Sequence, residues 1–193
     1  MTRDFDADRP VAPELLSRLV ELASRSPSAG KTQGWHLVVL QGDERERFWG
    51  ATLPPEERGA FSWQGLLRAP VIALALADPG AYLARYSEPD KQRTGWGEST
   101  ERWSAPYWTI DASMAVMTLL HAAQAEGLGT LLFAVARGAA EVRSNLGIPD
   151  DLELLGAIAI GWPSAATSSS PVAGSSAKRR RRPPEEIIHL SHW

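Results

Sequence analysis

The sequence predicts an α+β domain with few strands, one buried helix and a long C-terminal arm. Three observations point to this fold class. Four short apolar segments have the character of buried strands, and helical patterns separate them. One long segment, residues 108–126, is apolar on most sides. A stretch rich in Ser, Ala and Pro, residues 164–176, then leads to a basic C-terminus.

The first half of the chain contains two predicted helices and two predicted strands. Residues 13–25 form an amphipathic helix with Pro13 in its first turn, and small residues end it at 26–30. A buried strand follows at 35–40, and residues 43–51 form a short charged helix. A second buried strand spans 71–77.

The second half begins with a segment that has no clear period. Residues 78–107 contain several Gly and Pro, and we expect a loop-rich excursion with one short helix. The helix at 108–126 is the predicted central helix, buried on most sides, and His121 is expected to be one of its core residues. A third strand at 131–135, a helix at 138–146 and a fourth strand at 154–160 follow.

The chain end is predicted to be extended. Residues 164–177 have the composition of a flexible tether, and residues 178–193 form a C-terminal arm. With 193 residues, the whole chain, 1–193, is expected to be a single domain.

Composition excludes several classes of protein. The sequence has no cysteine, which excludes disulfides, thiolate metal sites, cysteine-ligated iron–sulfur clusters and a cysteine nucleophile. The polar, acidic N-terminus does not resemble a signal peptide, and no apolar run approaches the length that spans a bilayer. We therefore expect a cytoplasmic protein with no membrane partner.

The charge distribution is uneven. Residues 178–182 supply five of the 20 basic residues, so the rest of the chain has 15 basic against 23 acidic residues. A nucleic-acid-binding protein has a broad basic face, which this acidic body does not offer. The pattern indicates that one small anionic group binds at one place, and it predicts no nucleic-acid partner.

Common catalytic motifs are absent from the sequence. It contains no GxGxxG after a strand, no GxSxG and no HExxH, and the four histidines do not have metal-ligand spacing, so no metal site is predicted. Two segments remain as candidates. The turn at 26–35 is rich in small residues and is expected to leave backbone N–H groups free for a planar ligand, although a plain loop is the alternative. The basic run at 178–182 is either a phosphate clamp or a solvated charge run.

Taken together, four segments resemble the FMN-dependent nitroreductase family. Residues 3–5 and 9–11 resemble the end of its N-terminal arginine–serine–arginine segment, and SPSAGKTQGW at 26–35 resembles its PSAxNxQPW turn. AEGLGT at 125–130 resembles its AxxxGLG element, and RRPPEEII at 181–188, with Trp193, resembles its RRPLEEVV tail. The order and spacing of the four segments are more specific than any one of them.

The resemblance implies an α+β homodimer with a central, mostly antiparallel sheet flanked by helices. The C-terminal arm of each chain would extend onto its partner, and two FMN sites would lie at the dimer interface.

The implied cofactor-binding residues fall into four groups. Arg3 would face the pyrimidine end of the flavin, and the turn would line the ring and ribityl chain. The residues after the GLG element would lie near flavin N5, and two arginines of the arm would hold the phosphate. Beyond Arg3, these residues are Pro27, Ser28, Ala29, Lys31, Phe133, Ala134, Val135, Arg179 and Arg181.

The sequence departs from the family pattern at several positions. The usual arginine and serine upstream of Arg3 would fall at or before residues 1–2. Lys31 stands where the family has Asn, Gly34 where it has Pro, and Pro184 where it has Leu. The nearby arginines of the basic run are available to compensate for the missing arginine.

The implied activity is that of a flavin oxidoreductase with a ping-pong cycle. NAD(P)H would reduce the flavin at N5, and an electron-poor acceptor such as a nitroaromatic or a quinone would then be reduced. Because the cofactor carries this chemistry, no protein residue needs to be catalytic. Two other classes remain: a protein that binds or stores flavin with little turnover, and a protein that binds nucleic acid through its basic run.

The acceptor would contact the excursion at 78–107 and the residue after it. Four aromatic residues there either form a lid that stacks on a planar substrate or pack the segment onto the core, and the sequence favours neither interpretation. They are Trp96, Trp103, Tyr107 and Trp108.

Overall fold

A computed structural model of the protein describes residues 1–165 and 179–193. In this part of the chain four strands form one sheet in the order β1–β2–β4–β3, and each neighbouring pair is antiparallel. The strands are β1 (Trp35–Gln41), β2 (Val71–Ala77), β3 (Gly129–Phe133) and β4 (Glu153–Gly161). The predicted α+β fold with a mostly antiparallel sheet is confirmed.

Helices cover both faces of this sheet. They are α1 (Pro13–Ala23), α2 (Glu46–Thr52), α3 (Pro55–Arg58), α4 (Pro79–Tyr86), α5 (Tyr107–Ala125) and α6 (Ala139–Leu146). Helices α1 and α5 pack on one face, and α2 packs with α6 on the other. Local chemistry explains several helix ends: Pro13 begins α1, the Asp78 side chain accepts a hydrogen bond from the Ala81 N–H in α4, and Gly147 ends α6 with a φ of 63°.

Strand β2 is buried along its whole length because both faces of the sheet are covered. Ile72 and Leu74 point into one hydrophobic cluster together with Phe48. Ala73 lies in a second cluster on the opposite face, together with residues of α1 and α5. Two separate layers of core therefore lie on the two sides of one sheet.

The elements differ from the prediction mainly at their ends. The first helix stops at Ala23, and the helix expected at 43–51 is a 3₁₀ turn (Gly42–Arg45) followed by α2. The third strand was expected at 131–135 but begins at Gly129, because Gly129 and Thr130 pair with the end of β4. The excursion at 78–107 contains α4 and two short 3₁₀ turns.

The prediction for the long helix is wrong for one of its faces. Val116 and Leu119 are buried, but Ile110, Met114 and Met117 are 41%, 37% and 48% exposed, and His121 is also exposed. These residues lie three or four positions apart and therefore share one side of α5. An apolar composition shows that a helix face avoids water, but it does not show that the same chain covers it. We call Ile110, Met114 and Met117 the exposed face of α5.

The chain end is only partly described. Most of the predicted tether, residues 166–177, and Lys178 lie outside the described residues. The described hydrogen bonds of residues 179–193 are formed within that segment. Its apolar side chains are exposed: Ile187 by 58%, Ile188 by 59% and Leu190 by 79%. In residues 1–165 and 179–193 we find no helix that is both long and apolar enough to cross a membrane.

Candidate functional site

The turn at residues 26–35 has an unusual backbone. Gly30, Lys31 and Gln33 have φ angles of 63°, 56° and 57°, in the left-handed region that costs energy for residues other than glycine. The turn closes on itself, since the Lys31 N–H donates to the Ser28 carbonyl at 2.8 Å and the Gln33 N–H donates to Ser28 Oγ at 3.0 Å. The expectation that the turn leaves its N–H groups free is thus wrong for these two residues.

A buried carboxylate beneath the turn accepts a third N–H. Asp111 of α5 is only 6% exposed, and its Oδ2 accepts hydrogen bonds from the Ala29 N–H at 2.7 Å and the Tyr82 hydroxyl at 2.8 Å. Burial, and then the hydrogen bond to Asp111, raises the pKa of the Tyr82 phenol well above its usual value. Arg85 holds the turn from another side, donating from Nε to the Gly30 carbonyl at 2.9 Å.

Sequence analysis missed this contact between Asp111 and the turn. The available signal was a single acidic residue within the apolar part of the long helix, which is an unusual place for a charge. Its partners are 82 and 29 positions away in sequence, so the pattern did not identify them.

The aromatic residues of the excursion form a cluster against the same turn. Trp103 lies at its centre, with the ring centroids of five other aromatic residues at 4.7–6.1 Å. Trp103 and Trp108 are each 7% exposed, whereas Trp96 and Tyr107 are half-buried at the edge. In the single chain Trp103 and Trp108 therefore pack the segment onto the core, as one of the two interpretations had it. The cluster consists of Tyr82, Tyr86, Trp96, Trp103, Tyr107 and Trp108.

Two glycines of the turn let these rings approach closely. A side chain at Gly30 would place its Cβ 3.0 Å from the Tyr86 ring, and one at Gly34 would place it 2.8 Å from the Tyr82 ring. The structure thus brings the predicted cofactor-binding turn and the predicted substrate residues into one region.

Three other predicted residues, Phe133, Ala134 and Val135, line a separate cleft of about 400 Å³ on the opposite face of the sheet. Phe133 stacks on Trp49, with centroids 6.1 Å apart and planes 7° from parallel. Most of the remaining lining is apolar or aromatic, and Arg137 forms a bidentate ion pair with Glu57 beside it, at 3.1 and 2.8 Å. A cleft with flat aromatic walls suits a planar ligand.

Arg3 lies beside this cleft. Its guanidinium carbon is 4.9 Å from the ring centre of Trp63, which lines the cleft. The buried Nε of Arg3 and the buried Nε1 of Trp49 have no hydrogen-bond partner within the part of the chain that the structure describes. A buried donor without an acceptor costs about 1–3 kcal/mol, so the described part of the chain leaves two polar groups unsatisfied near this cleft.

The predicted cofactor-binding residues therefore occupy separate places in one chain. Arg3 and Phe133 are at the cleft on one face of the sheet, whereas the turn lies on the side of α1 and α5. Arg179 and Arg181 are exposed, and no described hydrogen bond joins them to either place within residues 1–165 and 179–193.

Comparison with known proteins agrees with this architecture. The profile of the Nitroreductase family matches residues 1–162. The chain is 26% identical over 163 residues to an Archaeoglobus fulgidus protein named as an NADH dehydrogenase/NAD(P)H nitroreductase, covering 81% of this chain and 77% of that protein. It is 28% identical over 175 residues to a 5,6-dimethylbenzimidazole synthase of Rhodospirillum rubrum, covering 83% and 76%.

Solved structures show the same fold. A protein of Exiguobacterium sibiricum described as a nitroreductase in complex with FMN superposes with a TM-score of 0.72 at 19% identity, covering 97% of this chain and 91% of that one. A nitroreductase-like protein of Streptococcus mutans gives a TM-score of 0.73 at 17% identity, covering 98% and 92%. With the family profile matching most of its length, the chain belongs to the nitroreductase family.

Proposed function

We propose that this protein is an FMN-dependent oxidoreductase that passes hydride from NAD(P)H to an electron-poor acceptor such as a nitroaromatic or a quinone. The observation that carries the proposal is the unpartnered Nε of Arg3 beside an aromatic cleft that contains Phe133, Ala134 and Val135. Bound FMN would supply the redox chemistry through its N5 atom.

The residues of the cleft fit such a ring. Arg3 would donate to an acceptor at the pyrimidine end of the ring, and its positive charge would offset negative charge on the reduced ring. Phe133 and Trp49 provide flat apolar walls that exclude water from the reacting edge. No ionisable side chain has to exchange a proton in this arrangement.

We further propose that the protein works as a homodimer, because a complete site needs two chains. The turn and the cleft lie on opposite faces of the sheet in one chain, so the turn of one protomer meets the cleft of its partner. The exposed face of α5 supports this proposal, since an apolar stripe of this kind is typical of an interface.

The C-terminal arm fits a role in the same dimer. Strand β1 is a sheet edge, and a groove of about 460 Å³ beside it is lined by Val20, Trp35, Leu37 and Val39, among others. The exposed Ile187, Ile188 and Leu190 of a partner would find apolar contacts there. In such a dimer Arg179 and Arg181, which are exposed in the single chain, would hold the phosphate of FMN, since guanidinium groups form strong bidentate contacts with phosphate.

The acceptor would meet the edge of the aromatic cluster. Trp96 and Tyr107 are half-buried and retain free ring surface, and the ring of Trp103 packs against both of them. A planar acceptor stacks on such a surface.

The first test is an absorbance spectrum of the purified protein before and after addition of FMN and desalting. We expect retained flavin bands that NAD(P)H bleaches. A protein that stays yellow but does not oxidise NAD(P)H would instead be a flavin-binding or storage protein, and a colourless protein that does not take up FMN would contradict the proposal.

The basic run offers a test of the phosphate assignment. Arg181→Ala should lower the FMN content, and Arg179→Ala should lower it less. Unchanged FMN affinity in both variants would refute the phosphate assignment.

The arm is tested by truncation. Deletion of the residues after Ser164 should give monomers or insoluble protein, as measured by light scattering after gel filtration. A truncated protein that remains a stable dimer would refute the proposed role of the arm.

A further inference from the structure

We propose that Asp111 is a positioning residue that, together with Tyr82, holds the turn at 26–35 in its ligand-binding shape and thereby sets the affinity for FMN. The inference rests on the proposed function, because it concerns the same cofactor. Asp111 is outside the cofactor-binding residues that the family resemblance implies, and its role follows from the contacts of this chain.

One carboxylate oxygen of Asp111 connects α5 to the turn and to α4 through hydrogen bonds. Oδ2 of Asp111, on α5, accepts from the Ala29 N–H in the turn and from the Tyr82 hydroxyl on α4. The two bonds, at 2.7 and 2.8 Å, have the short length of charge-assisted hydrogen bonds, and the acceptor is nearly fully buried. Loss of this atom would leave the buried Tyr82 hydroxyl and the partly buried Ala29 N–H without their acceptor.

The turn needs support from outside because its own backbone is strained. Lys31 and Gln33 both have left-handed φ angles, which a side chain disfavours, and such residues keep this conformation only where surrounding contacts impose it. Two of these contacts act on neighbouring residues: Asp111 on the N–H of Ala29 and Arg85 on the carbonyl of Gly30.

The region between the turn and α5 is closely packed. The cavity between the turn and Asp111 has a volume of about 10 Å³, room for a single water molecule, and Ser28 and Tyr82 are among the residues that line it. The turn therefore lies close against Asp111, with little free space between them. A smaller residue at position 111 would both remove the acceptor and open space beneath the turn.

The geometry separates the hydrogen bonds of Asp111 from its charge. Because both donors bind the same oxygen, the amide oxygen of an asparagine at this position can accept both bonds, and only the negative charge is lost. Asp111→Asn should therefore preserve the turn, whereas Asp111→Ala should release it. This pair of variants distinguishes positioning from an electrostatic effect.

Glu153, at the start of β4, offers a matched control because its carboxylate also binds α5. Its carboxylate accepts from Trp108 Nε1 at 2.6 Å and from Thr109 Oγ1 at 2.5 Å, so it also fixes α5 through two donors. None of its described hydrogen bonds involves the turn at 26–35. Glu153→Ala should lower the melting temperature much as Asp111→Ala does, without acting on the turn.

The experiment combines FMN titration, followed by quenching of flavin fluorescence, with hydrogen exchange of the FMN-free proteins. We expect Asp111→Ala to raise the Kd for FMN about tenfold, the size of effect for one lost charge-assisted hydrogen bond. Asp111→Asn and Glu153→Ala should stay within about threefold of the unsubstituted protein. Exchange of the Ala29, Lys31 and Gln33 amides should be faster in Asp111→Ala alone.

Several results would overturn the inference. A folded Asp111→Ala protein with unchanged Kd and unchanged amide exchange refutes it, and so does a Glu153→Ala protein that shows the same losses. If Asp111→Ala does not fold, Tyr82→Phe provides the second test, since removing one donor should loosen the turn and speed exchange of the same amides, and unchanged exchange would refute the inference. Failure of the unsubstituted protein to bind FMN would refute the proposed function, while the exchange data would still decide whether Asp111 holds the turn.

Discussion

Replacement of Trp103 tests whether the aromatic cluster is part of the core. Trp103 is 7% exposed, so folding removes most of its side-chain surface of about 150–250 Å² from water. At about 25 cal/mol per Å² this burial is equivalent to about 4–6 kcal/mol, in line with the cost of about 3–5 kcal/mol for replacing a buried Trp by Ala. Domains of this size are stable by about 5–15 kcal/mol, so Trp103→Ala should remove a large part of the total.

A conservative variant separates packing from hydrogen bonding. Trp103→Phe keeps an aromatic ring but loses the hydrogen bond from Nε1 to the Trp96 carbonyl, which is 2.9 Å long. We expect a loss of about 1–2 kcal/mol, and Trp96→Ala, at a half-buried position, should fall between the two Trp103 variants. Urea denaturation followed by far-UV circular dichroism measures all three. A loss below about 1 kcal/mol for Trp103→Ala would show that this segment is a detachable lid.

Three further predictions concern the cleft, the interface and the buried tyrosine. Arg3→Met should weaken FMN binding about tenfold or more at unchanged thermal stability, as fluorescence titration and melting curves would show; equal affinity would refute its assignment. Met117→Glu places a charge on the exposed face of α5, so it should shift the protein towards monomers in analytical ultracentrifugation, whereas a dimer of undiminished stability would place the interface elsewhere. Folding raises the pKa of the Tyr82 phenol, so the neutral phenol stabilises the folded protein in full below about pH 10. As the pH rises past that value, the free energy of unfolding should fall by up to about 1.4 kcal/mol per pH unit. Tyr82→Phe should flatten this dependence in urea titrations, and an equal slope in both proteins would contradict it.

Most of the sheet could be predicted because the residues of each strand form a recognisable local pattern. Short apolar runs bounded by Pro and Gly identified β1, β2 and β4 to within one residue at each end. The predicted bounds of β3 were two residues too late, because the apolar residues continue past Phe133 and do not show where pairing with β4 stops. Pairing depends on the partner strand, and a local pattern does not contain that information.

The site was harder to predict because its contacts join distant segments. The resemblance predicted the turn and Arg3 as cofactor-binding residues, but it gave no indication that Trp63 packs against Arg3 or that Asp111 binds the turn. The exposed face of α5 shows a related limit. Met114 and Met117 are apolar although the described part of the chain leaves them exposed, and the sequence pattern of a fully buried helix is the same.

The close approach of Gly34 to the Tyr82 ring also explains one departure from the family pattern. The family has a proline at this position, and any residue with a Cβ here would meet Cε2 of Tyr82 at 2.8 Å. In this chain a proline at 34 would therefore require the buried Tyr82 ring to shift. Gly34→Pro should damage the turn, because the shift would also strain the hydrogen bond between the Tyr82 hydroxyl and Asp111.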